Sequence, residues 1–125
     1  MMKIKKGSRI LFDDVEVAES YTSRVKGLSG RKSIGHDGFL MVFPWEGKHG
    51  IWMPMMKFAI DIVYIDSCKR VVDIKKHARP MSLNPMTWKV FRPRKGSKYV
   101  LELPSGKSGP LKIGDMLSFD MPKPR

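Results

Sequence analysis

The stretch FAIDIVYID, beginning at Phe58, constrains the fold of this chain more than any other. Phe58, Ile60, Ile62 and Tyr64 fall on one face of an extended strand, and Ala59, Asp61, Val63 and Ile65 on the other. Both faces are apolar, so the strand is read as central in a sheet. Asp61 interrupts that pattern, and an ionised carboxylate away from water is costly unless it is partnered. Either a partner holds it, or it lies on the floor of a groove. YVLELP repeats the theme: Tyr99, Leu101 and Leu103 face one way, and Val100 and Glu102 the other. Two strand interiors therefore each carry a carboxylate where an apolar side chain is the norm.

The rest of the chain is mostly period-two or short apolar runs punctuated by Gly, Pro and Asp, which predicts strands. RILF and VEVA flank Asp13-Asp14, read as a hairpin turn. GFLMVF, FAIDIVYI and RVVDI read as strands, the last two joined by a tight turn at Asp66 and Ser67. WKVF, YVLEL, PLKI and MLSF read as further strands, with a turn or bulge at Gly114-Asp115. In ESYTSRVKGL, Ser20 or Thr22 can cap a short helix and Gly27 can close it with a positive φ. HARPMSLNPMTW holds two prolines and no period, and reads as a long ordered loop. The expectation is a single mainly β domain over 1-125, a jelly-roll-like sandwich or closed barrel of about eight or nine short strands with one helical turn. The last residues, 121-125, are expected to fray.

At 125 residues the chain fits one domain with a real core. No apolar stretch reaches the roughly 18 residues needed to span a bilayer. MMKIKKGSRILF lacks the apolar core and cleavage site of a secretory signal, so a cytoplasmic location and no membrane partner are expected. The single cysteine, Cys68, agrees with a reducing compartment, and it has no evident neighbouring base that would make it a nucleophile. The net charge of +12 is the outstanding bulk property. It suits nucleic acid or an acidic ligand as readily as it suits a solubilising surface. FRPRKGSKY, with aromatics at both ends, is the densest basic patch.

Arg24 and Arg31 bracket RVKGLSGR, and a guanidinium can grip a carboxylate through two parallel hydrogen bonds. Asp61 is therefore expected to be shielded and paired with Arg24 or Arg31, with Glu102 close by. The cluster either pins the helical turn to the sheet or binds a polar ligand. In KHGIWMPMMKF, His49, Trp52, Met53, Met55 and Met56 lead into the Asp61 strand, and such a surface is either core or an adaptable pocket. In LPSGKSG, Gly106 supplies a turn whose serines and amides can hold an anion. His36, His49 and His77 lack the close spacing of metal ligands, so no metal is expected. Phosphate-loop and dinucleotide fingerprints are absent, and no cofactor is expected.

The ordered motifs SRVKGLSGR, GFLMVFP, IWMPMMKFAIDIVYID, YVLELPSG and IGDMLSF, spanning Val15 to Phe119, resemble the small prokaryotic family known as domain of unknown function 192. The resemblance implies a compact β-rich fold. It places the family pattern on Arg24, Gly27, Leu28 and Arg31, on Trp52, Met53 and Asp61, and on Glu102, Gly106, Gly114 and Asp115. The chain departs from the pattern at Ser29, where the family has Met, and at Pro54, Met55 and Met56, where it has Lys-Asn-Thr. Many relatives carry an export signal that is not evident here. The family brings no established activity with it. Residues and resemblance together point to a binding module for a small polar or anionic ligand, with a groove around Arg24, Arg31, His49, Trp52, Asp61 and Glu102. A nucleic-acid-binding protein is the alternative, and an enzyme using the two carboxylates is the weaker one.

Overall fold

The computed structural model describes residues 2–51, 56–81, 85 and 89–121. In chain order the elements are β1 (Met2–Lys6), β2 (Arg9–Ala18), α1 (Tyr21–Lys26), β3 (Gly38–Gly47), β4 (Ile60–Ile65), β5 (Val71–Ala78) and β6 (Ser97–Pro104). The strands form one mixed sheet in the order β1-β2-β3-β6-β4-β5. β2 and β3 run parallel, which requires a crossover, and residues 19–37 with α1 supply it. The other pairings are antiparallel. No helix among the described residues is long and apolar enough to cross a membrane.

The mainly β class and the single helical turn match the sequence reading, but the sandwich or closed barrel of eight or nine strands does not. The described residues form six strands in a sheet that does not close. Two physical reasons account for the difference. RILF and VEVA are not a hairpin but one continuous strand, β2, because Asp13 and Asp14 stay extended and donate their amides to the Asp37 carboxylate. The short apolar runs near the C-terminus contribute isolated bridges, Arg70 with Met116 and Lys5 with Ser118, not strands. WKVF likewise contributes a bridge from Phe91 to Ile51. The segments MSLNPMTW and the tail 122–125 lie largely or wholly outside the described residues.

β4 is buried at every position, as its two apolar faces require. Val63 and Ile65 join Leu40, Tyr99, Leu101 and Leu103 in one core, closed over by Leu111, Leu117 and Phe119 of the C-terminal segment. Ile60, Ile62 and Tyr64 join Phe39, Met41 and Val100 in a second core on the opposite face, covered by Leu28, Ile34 and Ile51. α1 starts at Ser20, whose hydroxyl accepts from the Ser23 amide, and ends at Gly27 with φ 48. No residue of α1 is buried. Its packing role passes to Leu28 and Ile34 beyond its end, and the space beside it stays open.

Candidate functional site

The two strand carboxylates lie on opposite faces of the sheet. Asp61 stands across from Leu103, a member of the first core, and Glu102 stands across from Ile62 and Phe39, members of the second. Cross-strand partners share a face, so the pleat separates the two acids. The expected Asp61–Glu102 neighbourhood is thereby corrected: the two residues are near in the sheet and divided by it.

Asp61 is 1% exposed, and its partners are not arginines. Oδ1 accepts from the His77 amide at 2.9 Å. Oδ2 accepts from the amides of Gly106 and Ser108, each at 3.1 Å, and from the Ser108 hydroxyl at 2.6 Å. The anion held by the amides of the PSGKSG turn is thus the protein's own carboxylate. Gly106 adopts φ 89 there, a conformation that favours glycine. Burial pushes the Asp61 carboxyl up, but the hydrogen bonds from His77, Ser108 and Gly106 outweigh it and leave the carboxyl below its ordinary value. This arrangement closes a turn and fixes the end of β5. The expected pairing with Arg24 or Arg31 fails because both arginines are engaged elsewhere.

Arg31 makes a two-pronged bond to Glu16 on β2, at 2.8 and 2.9 Å. That bond holds the Glu16 carboxyl below its usual value. His36 joins the same cluster, 2.9 Å from Asp14 and 3.3 Å from Glu16. Arg24 donates through Nη1 to the carbonyls of Glu19 and Val42, and its guanidinium lies 5.2 Å from the centre of the Phe43 ring. These bonds tie α1 to β3. A buried carboxylate that sequence reasoning passed over, Asp73, does for the basic FRPRKGSKY loop what Asp61 does for its turn. Its oxygens take the Arg94 and Ile74 amides at 2.9 Å, and Lys75 Nζ stands 3.3 Å away.

Glu102 has the opposite environment. It is 3% exposed, and its carboxyl forms no hydrogen bond or ion pair with another described residue. No fully enclosed side-chain oxygen among the described residues lacks a partner, so the carboxyl keeps contact with the cavity it lines. Burial pushes its carboxyl up to about 8, so it is protonated at neutral pH. The side chain lines a cavity of about 440 Å³ between α1 and the sheet. Met41 and Phe43 of β3 share this face, and Arg24 and His49 stand at its wall. His49 stacks on Phe43 with ring centroids 3.8 Å apart and donates from Nε2 to the Trp45 carbonyl at 3.0 Å. Tyr21, Val25 and Trp45 rim the opening at 75%, 67% and 63% exposure.

Of the six residues singled out from sequence, the structure brings Arg24, His49 and Glu102 together at this cavity. Arg31 and Asp61 are elsewhere, and Trp52 lies outside the described residues. Sequence reasoning missed Met41, Phe43 and Trp45. Their alternate spacing in GFLMVFPW was the available signal, since it puts them on one face of β3. No group of three or more metal-ligating side chains occurs among the described residues.

Fold and site define a small mainly β domain with a pocket under a short crossover helix. The family model for domain of unknown function 192, described as an uncharacterised ACR, matches residues 2–119, and the chain belongs to that family. The UPF0127 protein of Thermococcus gammatolerans is 31% identical over 117 residues, 90% of this chain and 71% of the relative. The corresponding protein of Thermococcus kodakarensis is 30% identical, and the chain spans 64% of its length. The UPF0127 protein of Pyrococcus abyssi is 34% identical over 112 residues, 84% of this chain and 85% of the relative. A protein of unknown function from Novosphingobium aromaticivorans shares the fold, with a TM-score of 0.79 at 21% identity over 94% of this chain and 82% of that one. A protein from Sinorhizobium meliloti, provisionally described as a transcription regulator, superposes with a TM-score of 0.78 at 26% identity over 94% and 91% of the two chains.

Proposed function

We propose that this protein is a small-molecule-binding module whose site is the cavity between α1 and the sheet. One observation carries the reading: Glu102, a buried acid with no partner among the described residues, faces a cavity of about 440 Å³ with mainly apolar walls. That volume suits a small ligand, and a single polar group in an apolar pocket is how such sites fix orientation. A carboxyl that no described donor or cation engages keeps its polar capacity for whatever enters the cavity. The exposed apolar rim of Tyr21, Val25 and Trp45 supports the same reading, because such residues clustered at an opening mark binding sites. Asp61 and Glu102 cannot act as a catalytic pair on one substrate from opposite faces of a sheet.

The test uses the full chain and a neutral probe, phenylbutyramide, followed by protein NMR. Shift changes are expected at Phe43, Trp45 and Glu102, weakened in Tyr21→Ala and Trp45→Ala. Changes confined to other regions, or none at millimolar probe, overturn the proposal.

A second reading rests on a different observation. Asp73 draws Arg94 and Lys75 together, which sets the basic loop 92–95 against β5. With the net charge of +12, that edge suits a nucleic-acid backbone, and the provisional description of the Sinorhizobium relative points the same way. Mixed-sequence RNA and DNA titrations should then weaken steeply with salt. Absence of binding at low salt eliminates this reading.

A further inference from the structure

We infer that the ligand of the α1 cavity is a monocarboxylate with a compact apolar tail, its carboxylate set between the Glu102 acid and the Arg24 guanidinium. The inference rests on the binding-module reading and specifies the ligand that site takes.

Three observations favour a carboxylate over other head groups. First, Glu102 sits 3% exposed with no hydrogen bond or ion pair among the described residues, and it opens on the cavity. A buried carboxyl in that state is neutral, and its remaining capacity is one O–H donor. It calls for an acceptor, and a carboxylate is the strongest one for that donor. Second, the charged groups along the cavity wall are Arg24 and Lys26, both cations. Arg24 is held in place by bonds from Nη1 to the carbonyls of Glu19 and Val42, which fixes its charge beside Phe43. An amine would meet those cations and the +12 charge of the chain, whereas an anion is attracted by both. Third, Met41, Phe43, Ile51, Trp45 and Val25 offer apolar surface for a tail, and the volume of about 440 Å³ limits its length. Binding involves no bond cleavage. One proton, carried by Glu102, is shared between two carboxyl groups, and Arg24 neutralises the remaining charge.

The titratable groups around Glu102 are Tyr21, Arg24 and Lys26 from α1, His49 from the segment after β3, and Tyr64 from β4. Tyr64 is itself raised by burial and by the charges of Asp73 and Glu102. None of these groups supplies an anion that would compete for the Glu102 proton.

Three probes with the same tail separate this inference from its parent: phenylbutyrate, phenylbutyramide and phenylbutylamine, titrated calorimetrically into the full chain. Below the Glu102 titration at about 8, phenylbutyrate should bind about tenfold or more tighter than the amide, and the amine weakest. Above it, phenylbutyrate should lose about tenfold or more, because two carboxylates would then face each other. Glu102→Gln keeps a donor and should abolish that pH dependence while preserving the order. Arg24→Gln should bring phenylbutyrate down to the level of the amide, in a chain whose circular dichroism is unchanged. Equal binding of the three, tightest binding of the amine, or a carboxylate affinity flat across this pH range overturns the inference and leaves the module standing. No binding of any probe overturns both.

Discussion

Asp61 and Glu102 occupy neighbouring strands of one sheet, are both nearly excluded from solvent, and have opposite electrostatic fates. Asp61 receives donors from His77, Gly106 and Ser108, so its carboxyl is held down and stays ionised. Glu102 receives none among the described residues, so burial alone acts and pushes its carboxyl up to about 8. Low solvent exposure alone therefore does not decide the charge of a carboxylate; the balance between desolvation and the donors around it does. On the Asp61 face the turn 104–109 wraps inward and brings its amides to the acid. On the Glu102 face α1 buries none of its own residues, and a cavity remains. One acid ties a turn to the sheet, and the other opens on a cavity.

The largest expected effect breaks the Asp61 side of this contrast. Asp61→Ala strips the acceptor from the His77, Gly106 and Ser108 amides and the Ser108 hydroxyl. Each orphaned donor costs about 1–3 kcal/mol, and with partial relaxation the sum should be roughly 4 kcal/mol or more in denaturant unfolding. A loss below about 1 kcal/mol contradicts the role assigned to Asp61. Because the Asp61 carboxyl is depressed, its contribution is present above the ordinary aspartate range and disappears as pH falls through the folded value.

Glu102 follows with the opposite sign. Its carboxyl is raised from 4.5 to about 8, so its contribution is fully present below the lower value and is lost as pH rises through the upper. Glu102→Gln should therefore gain roughly 5 kcal/mol over the natural chain above the upper value, relative to their difference in acid. Parallel urea curves at both extremes of pH measure it, and a pH-independent difference contradicts it. Arg31→Ala comes next, at about 1 kcal/mol, because the Arg31–Glu16 pair is partly solvated. Thermal unfolding should register it, and should show it shrinking as acid protonates Glu16. The smallest change sharpens the comparison from the cavity side. Trp45→Ala and Tyr21→Ala should move stability by no more than about 0.5 kcal/mol, since both side chains are exposed, while weakening probe binding.

Much of this arrangement was legible along the chain. Parity placed Asp61 with Val63 and Ile65, and Glu102 with Val100, as the two cores confirm. The Ser20 cap, the Gly27 terminus and the Asp66 turn followed from local chemistry. Register was not legible. Only the pairing of Asp61 with Leu103 and of Glu102 with Ile62 reveals that the acids are on opposite faces, and register depends on contacts distant in sequence. The partners of Asp61 escaped for a related reason. Backbone amides of a turn leave no residue-type signature, whereas arginines do, so the visible candidates were named in place of the true donors. Strand number was overcounted because a short apolar run with turn signals at both ends reads alike as a strand or as a covering segment. Leu111, Leu117 and Phe119 are such a segment, closing one core with a single bridge each way.

The central claim is that donors hold the Asp61 carboxyl down while burial without donors pushes the Glu102 carboxyl up, and one experiment follows both together. Carbon-detected NMR of the side-chain carboxyls across a pH titration reports Asp61 and Glu102 in the same sample. Glu102 should titrate near 8 and Asp61 below the ordinary aspartate value of 3.8. A Glu102 carboxyl that titrates close to 4.5, or an Asp61 carboxyl raised alongside it, contradicts the assignment of one to a cavity wall and the other to a closed turn.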